Sequence, residues 1–192
     1  MIQDFQTYLK TNAGVTNRQL EQLQDLIFTK TYEKGELLLD KGQICRHTFF
    51  VEEGLLRFFS ISEEGKEHII QFAPEGWFVS ERNSICFNEP SEYFIDACER
   101  TTVALMSQEF VEKASRVSPQ FRMYNERILQ NHIRQLQKRI KLLIGSNAEE
   151  RYLDFVRLYP DLMLRVPQWM IASYLGITPE SLSRVRKNLV KG

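Results

Sequence analysis

The sequence predicts an α+β fold: an N-terminal antiparallel β-roll of the jelly-roll kind, one long helix, and a C-terminal helix-turn-helix. Short β-branched and aromatic runs follow one another between about residues 31 and 107, separated by turn residues. A helical period then extends from Pro119 to about Ile144, and the residues after Gln168 have the spacing of two short crossed helices. The predicted units are therefore residues 1–116, 117–145 and 146–192.

The composition is that of a folded globular chain. It has 192 residues, 43% of them hydrophobic and 26% charged, with zero formal net charge, which suits one large or two small domains with a sizeable core. The apolar runs are too short to span a membrane, and the N-terminal residues lack the apolar region of a secretory signal. Three scattered cysteines (Cys45, Cys86 and Cys98) lack metal-ligand spacing. We expect a cytoplasmic protein with reduced cysteines.

The predicted β-roll begins after a short helical segment. Thr16 and Gln19 predict a capping box, and the helix that they open is expected to reach Ile27. The predicted strands are the runs ELLL, TFFV, LLRFFSI, HIIQF, YFIDA and TVALM. Several short strands at this spacing indicate a small antiparallel barrel, roll or sandwich.

The long helix carries a narrow apolar row. Its members after Phe121 recur at steps of three or four, and they are Tyr124, Ile128, His132, Leu136, Ile140 and Leu143. Such a row favours a seam between two copies of the helix, and the alternative is packing on the roll of the same chain alone. Gly145 is the predicted hinge, and Ser146 with Glu149 predicts a capping box before a helix over 151–158.

The C-terminal residues have the spacing of a helix-turn-helix. Gly176 stands in the turn, where a positive φ favours glycine. Thr178 is a good N-cap and Pro179 fits the first helical position. The positions that two crossed helices must bury are small or apolar, and they are Ile171, Ala172, Leu175, Ile177, Leu182 and Val185.

The second of these helices offers polar side chains suited to DNA. The candidate DNA-binding residues are Thr178, Pro179, Glu180, Ser181, Ser183, Arg184 and Lys187. Residues 165–192 also carry five basic side chains against the single acid Glu180, and Lys191 is among them. Arg165 is another, and we expect it to contribute to the binding of DNA phosphate. This local basic patch predicts sequence-specific binding to double-stranded DNA; an ordinary helical hairpin is the alternative.

The combination resembles the Crp-Fnr family of bacterial transcription regulators. The resemblance rests on Gly42 in DKGQ, Gly54 in FVEEGLL, the EGKE at 64–67, Gly76 in PEGWFVSE, and the segment IASYLGITPESLSRVRK. It implies a signal-sensing roll, a homodimer formed through the long helix, and binding to palindromic promoter DNA, with RNA polymerase as a further candidate partner. The chain ends at Gly192, so the resemblance is to a short form without a C-terminal wing.

The effector pocket departs from the pattern of cyclic-nucleotide-binding members. The family's Phe-Gly-Glu turn corresponds to Phe78-Val79-Ser80-Glu81, in which serine replaces glycine, and its phosphate-pairing arginine corresponds to Ser91, with Glu92 beside it. Leu136 stands where the long helix normally offers hydroxyls. We therefore expect a diverged pocket that does not bind cyclic AMP, with an unidentified small molecule as the candidate effector.

The sequence predicts no catalytic residue, metal ligand or cofactor. The function from another class is a cupin-like small-molecule or metal-binding protein, because small β-barrels often hold a metal between histidines. That function needs an H-x-H pair with a carboxylate on a nearby strand, whereas His47 and His68 each stand alone.

Overall fold

The structure, a computed structural model, describes residues 4–191 and their side chains through Leu189. It confirms the predicted α+β class, with an antiparallel β-roll, a long helix and a helical C-terminal unit in that order. Within the described residues, no helix is both long enough and apolar enough to cross a membrane.

Two short helices precede the roll. Helix α1 (Phe5–Ala13) begins after the N-cap Asp4, and α2 (Asn17–Glu21) begins at the predicted capping box of Thr16 and Gln19. The prediction of one helix from Thr16 to Ile27 is wrong. After α2 the chain tightens into a 3₁₀ helix (Gln24–Leu26), because the N–H groups of Leu23 and Leu26 bond three residues back rather than four.

Eight strands form two four-stranded antiparallel sheets. The strands are β1 (Phe28–Tyr32), β2 (Leu37–Leu39), β3 (His47–Glu53), β4 (Leu56–Ile61), β5 (Glu67–Ala73), β6 (Phe78–Val79), β7 (Phe94–Ala97) and β8 (Thr101–Ser107). The first sheet has the order β1-β8-β3-β6 and the second has the order β2-β7-β4-β5. All six predicted strands are present. The two that sequence reasoning missed are β1 and the two-residue β6.

The space between the sheets is a dry apolar core. Its members come from both sheets and include Phe49, Val51, Leu56, Ile95 and Val103, all at most 3% exposed. Helix α3 (Arg82–Phe87) lies between β6 and β7. A two-sheet roll requires such a core, in which apolar side chains from the inner faces of both sheets pack against each other.

The long helix begins as part of the roll. Helix α4 (Gln108–Val117) is followed by α5 (Pro119–Gly145), which has 27 residues and a length of about 40 Å. Phe121 packs edge to face on Phe110 with ring centroids 5.8 Å apart. The Tyr8 and Tyr124 hydroxyls hydrogen-bond to each other. The first turns of α5 are therefore fixed by α1 and α4 of the same chain.

Four helices complete the chain: α6 (Ala148–Leu158), α7 (Leu162–Arg165), α8 (Gln168–Leu175) and α9 (Pro179–Lys191). A capping box does open α6, but it uses Asn147 and Glu150 rather than the predicted Ser146 and Glu149. Ser146 is instead the C-cap of α5, where its N–H bonds to the carbonyl of Leu142. The N-cap thus lies one residue later than predicted, and α6 begins at Ala148, three residues before the predicted start at 151.

One hydrophobic cluster joins the roll to the C-terminal helices. Leu55, Phe59, Ile69 and Phe72 contribute from the second sheet. The helical contribution is Phe155, Tyr159, Leu162, Val166, Ile171, Ala172, Leu175 and Leu182. The helix-turn-helix unit, predicted as a separate domain over 146–192, therefore shares its core with the sheet.

Gly54 permits the close approach of two chain segments. Its φ is +95°, and a Cβ there would lie 2.5 Å from Thr101 Oγ1 and 2.6 Å from the Arg100 carbonyl oxygen. Thr101 is fully buried, and its hydroxyl accepts from Leu55 N–H at 3.0 Å and donates to the Glu99 carbonyl at 2.8 Å. Thr101 therefore cannot move away from a Cβ at residue 54 without losing these two hydrogen bonds.

We therefore expect Gly54→Ala to lower the free energy of unfolding by about 2–5 kcal/mol, from backbone strain together with overpacking. Gly65→Ala is the matched control, because Gly65 also has a positive φ (+77°) but no atom within 4 Å of a built Cβ. It should cost about 1–2 kcal/mol. Urea unfolding measures both, and equal losses would contradict the steric argument.

Candidate functional site

Helices α8 and α9 form the predicted helix-turn-helix. Gly176 ends α8 with φ +65°, and Thr178 Oγ1 accepts from the Ser181 N–H at 3.2 Å as the N-cap of α9. Four predicted core positions, Ile171, Ala172, Leu175 and Leu182, are at most 2% exposed. The two helices are thus held at a fixed crossing by buried contacts and a glycine turn.

The predicted DNA-binding side chains lie mostly on the exposed surface of α9. Glu180, Ser183, Arg184 and Lys187 are exposed, together with Thr178 and Pro179, while Ser181 is half-buried. Arg184 Nη2 donates to Ser181 Oγ at 3.3 Å. A hydrogen bond from its own backbone amide, then one from Thr178, lowers the pKa of the Glu180 carboxyl, so this acid is ionised at neutral pH.

Arg165 is occupied by the roll. Its guanidinium donates to Glu75 at 2.8 and 2.9 Å and to Glu99 at 2.5 Å. Burial alone would raise the pKa of Glu75, but the hydrogen bonds and charge of Arg165, with backbone N–H donors, lower it. The expectation that Arg165 contacts DNA phosphate is therefore wrong in this arrangement. The side chain of Lys191 lies outside the described residues.

A groove of about 1510 Å³ separates the roll from α5. Phe78, Ser80, Glu81 and Leu136 of the predicted effector pocket line it. Ser91 and Glu92 are not among its described lining residues, although the adjacent Tyr93 is. Its aromatic walls are Phe5, Tyr8, Phe58, Trp77, Phe78, Tyr93, Phe121, Tyr124, Phe155, Tyr159 and Tyr174.

The polar residues expected to face a ligand are already engaged. Both oxygens of the buried Glu81 accept backbone N–H groups at the start of α3, from Asn83 at 3.0 Å and from Ser84 at 2.6 Å. Ser91 is 2% exposed, and its hydroxyl bonds to the backbone of Tyr93 at 3.0 Å in both directions. Both side chains therefore already bond to the backbone around the groove, and Ser91 carries no charge with which to pair a phosphate.

The predicted dimer row divides between two faces of α5. Tyr124, Ile128 and His132 are half-buried and line the groove, whereas Ile140 is 56% exposed and is not among its described lining residues. At 3.6 residues per turn, Ile140 is rotated by about 120° from the centre of that group. An apolar row with heptad spacing includes Ile140, and its members are Leu129, Ile133, Leu136, Ile140 and Leu143. Leu129 is half-buried and the other four are exposed, and all but Ile140 also border the groove.

The relatives of this chain are regulators. Residues 29–116 match the cyclic nucleotide-binding domain family. The Anaerobic regulatory protein of Pasteurella multocida is 28% identical over 189 residues, which cover 92% of this chain and 68% of that protein. The Fumarate and nitrate reduction regulatory protein of Vibrio cholerae is 28% identical over 179 residues, which cover 87% and 71%.

Solved structures share the fold. FixK2 from Bradyrhizobium japonicum superposes with a TM-score of 0.73 at 21% identity, covering 86% of this chain and 85% of that one. A regulator assigned to the Crp/Fnr family, from Eubacterium rectale, gives a TM-score of 0.67 at 19% identity, covering 93% and 86%. The chain thus shares its fold with a regulator of the Crp/Fnr family, and its residues 29–116 match the cyclic nucleotide-binding domain family.

Sequence reasoning missed the cations of this groove. Arg46, Arg82 and Arg127 line it, and so do Lys138, Arg139 and Arg151. Burial, and after it the charge of Arg82, lowers the pKa of His132 on α5, which places these two groups near each other in the groove. Arg82 directly follows Glu81 in the sequence, and that adjacency was the one signal that could have identified it.

Proposed function

We propose that this chain is a transcription regulator of the Crp-Fnr type that binds palindromic double-stranded DNA as a homodimer. The observation that carries the proposal is the helix-turn-helix itself. Its core residues are buried against α6 and the roll, while the acidic, hydroxyl and basic side chains of α9 face solvent. The regulatory names of the relatives support the same function.

In this function α9 enters the major groove of DNA. Arg184 is placed one turn beyond Glu180, and its guanidinium suits the two acceptors on a guanine edge. Glu180, ionised and close to the N-terminus of α9, suits the amino group of cytosine. Lys187, a further turn along, suits a phosphate, which positions the helix without reading sequence.

Replacing Arg184 should therefore reduce specificity more than general affinity. We expect Arg184→Ala to lose about 1–3 kcal/mol of binding free energy on the selected operator, with little change on random DNA. Arg18→Ala in α2 is the matched control, since it removes the same charge from an exposed position outside the helix-turn-helix. Titration with labelled operator and random duplexes measures the affinities of both variants. Equal losses on the two DNAs would show that Arg184 contacts phosphate and does not read a base.

The exposed heptad row supports a two-fold dimer along α5. An apolar stripe of Leu and Ile at steps of four and three is what two helices bury in a coiled-coil seam. Two-fold dimers place their reading helices on two half-sites about one helical turn of DNA apart. We therefore assign the interface to the row Leu129, Ile133, Leu136, Ile140 and Leu143.

A charge in this row should separate the protomers. Ile140→Glu would bury two like charges across the two-fold axis, so sedimentation should show monomers and operator affinity should fall at least tenfold. Gln137→Glu adds the same charge to an exposed position on the same helix and should remain dimeric. An Ile140→Glu protein that sediments as a dimer would place the interface elsewhere.

We further propose that operator binding does not require a cyclic nucleotide. Ser91 offers no charge to a phosphate, and Glu81 has both carboxylate oxygens bonded to α3. A ligand shifts a conformational equilibrium only by its difference in affinity for the two states. An effector of this groove is therefore expected to use its aromatic wall.

Millimolar cyclic AMP or cyclic GMP should change operator affinity less than threefold, with linear AMP at the same ionic strength as the control. Fluorescence anisotropy of a labelled operator gives the three affinities. A tenfold rise with the cyclic nucleotide alone, about 1.4 kcal/mol of coupling, would overturn the proposal. It would also direct attention to Arg82 as the replacement for the missing arginine.

The cupin-like alternative receives no support from the side chains. Among the described residues, no three His, Cys, Asp or Glu side chains come together as a metal site would require. Metal analysis of the purified protein separates the two functions, since a stoichiometric transition metal would favour the alternative.

A further inference from the structure

Three elements meet at the outer edge of β5. This strand is at the edge of the second sheet, so the outward peptide groups of Glu67 and Ile69 have no neighbouring strand. Ser173 of α8 replaces one: its hydroxyl accepts from Ile69 N–H at 3.0 Å and donates to the Glu67 carbonyl at 2.9 Å. The hydroxyl thus bridges a donor and an acceptor as a paired strand would.

Arg139 of the long helix joins the same point. Its Nη2 donates to the carbonyl of Ile69 at 3.2 Å and to the carbonyl of Tyr174 at 2.9 Å. Its guanidinium carbon also lies 3.6 Å from the centroid of the Tyr174 ring. We call this set of five residues, Glu67, Ile69, Arg139, Ser173 and Tyr174, the Ile69 junction.

Two further attachments join the C-terminal helices to the roll: on α7, Arg165 pairs with Glu75 and Glu99, and after α6 the Tyr159 hydroxyl donates to the Phe72 carbonyl at 3.2 Å. Three attachment points that are not in line fix the orientation of a rigid unit, whereas two leave it free to rotate about the line that joins them. The shared hydrophobic cluster determines which faces meet, but apolar burial is non-directional and does not by itself fix the angle between them. The covalent link between α5 and α6 at Gly145 is short, but the surrounding structure does not pack against it, because a Cβ added at Gly145 would have no neighbour within 4 Å.

We propose that the Ile69 junction fixes the orientation of the helix-turn-helix on the roll and so sets the half-site spacing that the dimer accepts. This inference rests on the proposed function. In a two-fold dimer, each α9 is connected to the dimer axis through α8, the junction and α5. A rotation at the junction therefore displaces both reading helices, and the two displacements add in the distance between them. Arg139 and Ser173 are positioning residues, which need not touch DNA.

The spacing of half-sites is the readout that a general loss of stability would not move. Each added base pair separates the half-sites by about 3.4 Å and rotates one about the DNA axis. The wild-type protein should prefer one spacing at least tenfold over its neighbours, on duplexes built from a half-site that it selects from random DNA. The double variant Ser173→Ala, Arg139→Met should discriminate less than threefold.

The matched control is Ser115→Ala, Arg134→Met. It makes the same two substitutions at side chains without a described hydrogen bond, with Arg134 on the same long helix. Its spacing preference should equal that of the wild type. A junction variant that loses affinity equally at every spacing, or a wild type that accepts all spacings alike, would overturn the proposal.

A measurement without DNA separates this inference from the proposed function. Spin labels at Glu53→Cys in the roll and Asn188→Cys on α9, in a Cys86→Ser, Cys98→Ser background, report the orientation of the two units within one protomer diluted in unlabelled protein. Cys45 is buried and is therefore inaccessible to the label.

The wild type and the control should give one narrow distance distribution, and the junction variant a broad one. Equal widths would overturn the proposed role of the junction, whatever the protein does with DNA. A different outcome would be a narrow distribution in the wild type that broadens in the junction variant, in a protein that selects no DNA sequence. That result would support the positioning role of the junction and count against the proposed function.

Discussion

The burial of Phe59, Ile69 and Phe72 against the C-terminal helices is the interaction on which this architecture depends. These side chains come from the second sheet on strands β4 and β5, and each is at most 3% exposed. Helix α8 has only eight residues, too few to be stable alone in water. It is stabilised because it packs between the sheet, α6 and α9. The position of the DNA-facing surface is therefore determined by the sheet.

Local signals made much of this architecture predictable. Gly176, Thr178 and Pro179 act within a few residues of themselves, and the turn and cap that they predict are present. The six runs of strand-forming residues and the long helix were equally clear. The predicted capping box before α6 was displaced by one residue, since Ser and Asn are both good caps and the sequence presents them in succession.

Long-range partners were beyond sequence reasoning. Arg165 looked like a phosphate contact because it stands among basic residues, yet its partners lie 66 and 90 residues earlier. Resemblance to a family identified Glu81 and Ser91 but not the hydrogen bonds that engage them. The apolar row of α5 was detected by its period, but two rows about a quarter-turn apart share that period, and the roll decides which one it covers.

The shared cluster also affects the chain while it is being synthesised on the ribosome. The strands that carry Phe59, Ile69 and Phe72 are complete at Ala73, whereas their first helical partner in the cluster is Phe155. At about 5–20 residues per second, synthesis of the intervening segment takes several seconds or more. The second sheet itself is complete only after β7, at Ala97. From then until Phe155 is synthesised, it presents aromatic side chains and an unpaired edge at β5, the surfaces that favour aggregation.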